Sequence, residues 1–65
     1  MRPETRTVLL RAYAQLHQII EDLYNAHDNA VASNYDTDAS LLVSRADKLY
    51  EEAENLYLVI SEEDR

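Results

Sequence analysis

A chain that contains no glycine, and whose only proline is Pro3, can turn back on itself only rarely. Tight hairpin turns and bulges need positive backbone φ, and glycine is the residue that supplies it without steric cost. Strand-rich folds use many such turns. The 65 residues therefore point to helices with few connections, and Ala, Leu and Glu supply strong helix propensity. The length allows one domain, spanning residues 1–65. A single core of this size stabilises weakly, and small scaffolds commonly add disulfides, a metal or a second copy. The chain has no cysteine, which removes disulfides and thiolate metal sites and fits a cytoplasmic setting.

The apolar residues fall into two heptad runs. The first is Leu9, Tyr13, Leu16, Ile20, Leu23, His27 and Ala30, alternately four and three residues apart. That spacing keeps one face of a helix apolar. Pro3 suits the first turn, because its missing N–H has no intrahelical partner there. The second run is Ala39, Leu42, Ala46, Leu49, Ala53, Leu56 and Ile60, in which small and large residues alternate. Small residues let helices approach closely while the leucines fill the layers between. Between the runs, Ser33-Asn34-Tyr35-Asp36-Thr37-Asp38 breaks the period with residues that favour caps and turns. Helix one is expected over about 3–32, a connection over about 33–38 and helix two over about 38–61, with Asp36, Thr37 or Asp38 as its cap.

Two long helices with a short connection make an all-α antiparallel hairpin. Leu10, Ile19, Tyr24 and Val31 widen the first stripe, and Val43, Tyr50 and Tyr57 flank the second. Stripes this wide exceed what one neighbouring helix covers, so the hairpin is expected to dimerise into a four-helix bundle. The chain has five tyrosines but no Phe or Trp. A tyrosine buries its ring and keeps its hydroxyl on a polar partner, which suits an interface. Tyr13, Ile20, Tyr24, Val43, Tyr50 and Tyr57 are the expected oligomer-interface residues.

The net charge of −7 is concentrated in the second half. Residues 1–35 hold four acids and three bases, whereas residues 36–65 hold nine acids and three bases. An acidic surface repels nucleic acid and anionic membranes at long range and favours a basic partner. Arg2, Arg6 and Arg11 near the start of helix one, and Glu62, Glu63 and Asp64 at the end of helix two, each oppose their own helix dipole. An antiparallel hairpin sets these two groups side by side. No apolar run approaches the roughly 18 residues of a membrane span.

Asp47, Glu51 and Glu54, with Glu52 beside them, form an acidic cluster that reads either as a solvated face or as a contact for a basic protein surface. Leu41 and Leu58 are the only apolar residues that the heptad aims outward, which makes them candidate apolar contacts. His17 and Glu21, four apart, share a helix face, but two ligands are too few for a metal site and no Glu-x-x-His pair accompanies them. His27 lies on the apolar seam near the connection, as a register-setting polar residue or simply where the bundle opens to water. No glycine-rich phosphate loop, nucleophile–His–acid arrangement or basic stripe is present, so neither enzyme activity nor a cofactor is expected.

The pattern Ala39-x-x-Leu42-x-x-x-Ala46-x-x-Leu49-x-x-x-Ala53, with the run Ala46-Asp47-Lys48-Leu49-Tyr50, resembles the Rop-type RNA-organising proteins of plasmids. That resemblance implies dimerisation into a four-helix bundle and a nucleic-acid-binding regulator. Helix one, however, has no evenly spaced basic face beyond Arg11. The Ser-x-x-x-Asp motif of the hairpin phosphatases of sporulation is not met, since Ser44 and Asp47 have two residues between them. The residues themselves favour a small acidic regulator or inhibitor that works by protein–protein contact, of the kind that phages and mobile elements direct at host enzymes. An RNA-binding dimer and a structural assembly subunit are the competing readings.

Overall fold

A computed structural model of the chain describes residues 1–63 and consists of two helices, α1 (Pro3–Ala32) and α2 (Asp36–Glu63), packed as an antiparallel hairpin. Among the described residues there is no strand. Helices of 30 and 28 residues at about 1.5 Å per residue account for the longest dimension, 47 Å, against 14 and 12 Å across.

The start of α1 follows from its sequence. Arg2 is extended, with φ −70° and ψ 147°, and Pro3 supplies the fixed φ of the first turn. The Arg2 carbonyl accepts the Arg6 N–H at 3.1 Å, and the Thr7 hydroxyl donates back to the Pro3 carbonyl at 3.0 Å.

The end of α1 is a closed hydrogen-bonded stop. The Tyr35 N–H donates to the Ala30 carbonyl at 2.9 Å and the Asn34 N–H to the Val31 carbonyl at 3.1 Å. This nested pair is the Schellman arrangement, which requires a left-handed residue between helix and exit. Asn34 fills it with φ 64°, and Asn is among the few non-glycine residues that take this conformation at modest cost. A glycine-free chain thus makes its single reversal on an asparagine.

The connection is consequently shorter than the sequence suggests. It covers residues 33–35, and the Tyr35 carbonyl already accepts the Ala39 N–H at 2.9 Å. Asp36 and Asp38 are not caps but members of the first turn of α2. There their carboxylates face the positive end of the helix dipole, which favours them as well as a capping position would.

The core is thin. Its fully packed members are Ile20 and Ala30 from α1, and Ala39, Ala46, Ala53 and Ile60 from α2. Ala46 and Ala53 are 0% and 1% exposed, so the alanine line of α2 is what lies directly against α1. The leucines of both runs, Leu9, Leu16, Leu23, Leu42, Leu49 and Leu56, are only half-buried. Ile20, expected at an oligomer interface, is instead 4% exposed within the hairpin.

Candidate interaction surface

Because the alanine line faces α1, residues on either side of it fall on opposite flanks of the hairpin. Val43, Tyr50 and Tyr57 lie four positions after successive alanines, and Leu42, Leu49 and Leu56 lie three after. Ring contacts identify the first flank. Tyr13 of α1 meets Tyr57 of α2 with centroids 6.0 Å apart, and His17 meets Tyr50 edge-on at 6.3 Å. Within α1, Tyr13 and His17 pack edge-to-face at 4.5 Å. Two turns beyond His17, the Tyr24 hydroxyl of α1 donates to Asp47 Oδ1 of α2 at 2.7 Å. The rings and this hydrogen bond fix the antiparallel register, with Tyr13 level with Tyr57 and Tyr24 level with Asp47.

The aromatic flank carries acid. Asp47 receives the Tyr24 hydroxyl, and this hydrogen bond, ahead of desolvation and the Asp47 charge, pushes the Tyr24 hydroxyl above its ordinary value of 10.0. The Tyr50 hydroxyl is likewise raised, first by its hydrogen bond to Glu54 and then by that carboxylate's charge. In both pairs a neutral phenol is favoured because its ionisation would set two anions together. Tyr50 and Tyr57 remain 45% and 54% exposed, so the flank presents ring faces and carboxylates to solvent.

The four acids do not make one patch. Asp47 and Glu54 edge the aromatic flank. Glu51 lies on the outer side and forms an exposed ion pair with Lys48 at 3.7 Å. Glu52, about 100° further round the helix, turns toward the leucine flank. Leu41 and Leu58 are 62% and 54% exposed on the outer surface of α2, as their heptad positions require. Val43 and Tyr13 are half-buried at the edge of the aromatic cluster. The sequence marks the tyrosines as flank residues but leaves His17 unassigned to them. Its spacing of four from Tyr13 on α1 is the signal that places it there.

His27 is half-buried and its Nδ1 lies 3.2 Å from Asp28 Oδ1. His17 packs on rings. Among the described residues no three His, Asp or Glu side chains gather closely enough to hold a metal ion, and no helix is long and apolar enough to cross a membrane. The expected alignment of Arg2, Arg6 and Arg11 with Glu62, Glu63 and Asp64 falls in part on Asp64 and the Glu63 side chain, which lie outside the described residues.

Compared with known proteins, the chain matches no family model, no curated protein and no solved structure.

Proposed function

We propose that this protein is a small cytoplasmic regulator or inhibitor that binds a basic protein surface through the aromatic flank of the hairpin and associates with itself into a four-helix bundle. One observation carries the first half of this reading. Exposed tyrosine rings from α2 and the carboxylates of Asp47 and Glu54 share one flank, with a ring–ring contact and the Tyr24–Asp47 hydrogen bond holding both helices to it. Arginine and lysine side chains pack on ring faces and pair with carboxylates, so one basic segment could satisfy both. Tyrosines held by neighbours lose little further freedom on binding.

An arginine-rich peptide, followed by fluorescence anisotropy at increasing salt, tests the flank. The intact chain should bind it, and the triple change Asp47→Lys, Glu51→Lys, Glu54→Lys should abolish binding while circular dichroism stays helical. Reversing Glu4, Asp22 and Glu62, exposed acids on the outer sides of the two helices, changes the net charge equally but should leave most of the binding. Equal losses from both triple variants would reduce the effect to net charge and overturn the assignment. Retention of RNA in a low-salt gel shift, lost on changing Arg2, Arg6 and Arg11 to Gln, would favour the nucleic-acid reading instead.

A further inference from the structure

The flank opposite the tyrosines is an apolar surface that the hairpin itself covers only in part. It holds the six half-buried leucines, with Ile19 and Val59 still 47% and 45% exposed at its edges. The whole chain exposes 4951 Å², whereas a compact monomer of 7.5 kDa exposes about 4250 Å². Its radius of gyration is 14.9 Å, against about 11 Å for a compact chain of this length. The excess is the surface of a hairpin without a second layer.

We infer that a second copy of this chain covers the leucine flank, related by a two-fold axis that crosses α2 between Lys48 and Leu49, so that the two α2 helices pack antiparallel. This deepens the self-association part of the proposed function and leaves the aromatic flank open. Charge supports the choice of occupant. Arg45 and Glu52 are seven residues apart, occupy the same heptad position and border the leucine line. An axis midway between them sets Arg45 of each copy against Glu52 of the other, giving two opposite-charge pairs from one sequence. Size supports it independently from α1. Ile19 and Ala26 are also seven apart and share a heptad position on this flank, and their midpoint lies between Asp22 and Leu23. The Tyr24–Asp47 hydrogen bond places that midpoint level with the one on α2. The same axis therefore sets each Ile19 against the small Ala26 of the other copy. Two pairs on two helices, one chosen by charge and one by volume, locate a single axis.

The area is adequate. A face 47 Å long and 14 Å wide has a flat footprint of roughly 650 Å², close to the ~800 Å² per partner of a stable interface. Because the leucines run the length of the face, the contact is continuous rather than a local patch.

The test uses the full chain in sedimentation equilibrium over a wide concentration range. A dimer is expected. Arg45→Glu alone and Glu52→Arg alone should each weaken it, by roughly threefold or more, and the double change should restore it, because both cross-copy pairs are then rebuilt. With no native cysteine in the chain, oxidised Leu49→Cys should give a disulfide-linked dimer and Leu58→Cys, on the outer surface, should not. A dimer in which the double change is no better than either single change, and in which Leu49→Cys stays uncrosslinked, would overturn the axis. A folded monomer at every concentration would overturn the second copy altogether. Neither result would touch the binding of basic peptide to the opposite flank, which fails or stands on its own assay.

Discussion

Two residues show how much a single side chain decides in so small a molecule. Asn34 holds the left-handed position on which the α1 stop depends. Asn34→Ala keeps the Cβ at this left-handed position but removes the compensating polar group, and should cost about 1 kcal/mol. That corresponds to a thermal midpoint lower by about 4–8 °C, whereas Asn34→Gly should leave the midpoint level or raise it. Tyr24 ties the helices together through Asp47. Its hydroxyl is raised above 10.0 in the folded chain, so the sign of the pH effect is fixed. Below the unfolded value the phenol is neutral in both states and the stabilising bond is whole. As pH rises through the higher folded value, the proton is lost and the contribution disappears. Urea unfolding between about pH 8 and 11 should show stability falling with pH in the native chain. Tyr24→Phe should start lower and fall less, and a parallel decline in both would remove the bond from the explanation.

At the scale of the element, the alanine line explains why α2 approaches α1 so closely. Ala46 has no exposed surface, so a larger side chain there has nowhere to go. Ala46→Leu should destabilise by about 1–3 kcal/mol through overpacking, while Leu41→Ser, on the outer surface of the same helix, should stay within about 0.5 kcal/mol. Chemical denaturation of the two variants side by side checks the contrast. The helices themselves were legible, because a sustained seven-residue repeat fixes both their type and the face each one hides. Where α2 begins was less so. Asp36, Thr37 and Asp38 all favour a cap, but acids are equally at home inside a first turn, and composition does not separate the two. The flanks were legible only as a set. Each apolar stripe is four positions wide, and sequence does not say which two the sister helix takes. That is why Ile20 reads both as a seam residue and as an interface residue while the hairpin alone already covers it, and why the leucines on the same seam are only half-buried. The acidic cluster reads as one surface because its members are close in sequence, yet adjacent residues on a helix differ by about 100°. That rotation sends Glu52 away from Asp47 and Glu54.

For the whole molecule, the balance is between a hairpin with a thin core and a large apolar flank that stays half-open. Four of its six packed core residues are alanines, which release little transfer free energy on burial. If association covers the leucine flank, folding and association are one equilibrium, and the thermal midpoint should climb with protein concentration. Circular dichroism melts across a wide dilution series check this, and a midpoint independent of concentration would mean that the hairpin stands alone. The closed stop at Asn34 has a further consequence for how the chain breathes. Since the reversal takes only residues 33–35, pairing partners are nearest in sequence beside Ala30 and Ala39 and furthest apart at Leu9 and Ile60. Ordering can begin at the reversal with very little loop to close, then advance like a zip, each level shortening the loop for the next. Undoing runs the other way, so amide hydrogens should exchange fastest in the first turns of α1 and the last of α2 and slowest around the reversal. The first turns of α1, where Arg2, Arg6 and Arg11 lie, are then the part of that helix that opens most often to the surroundings.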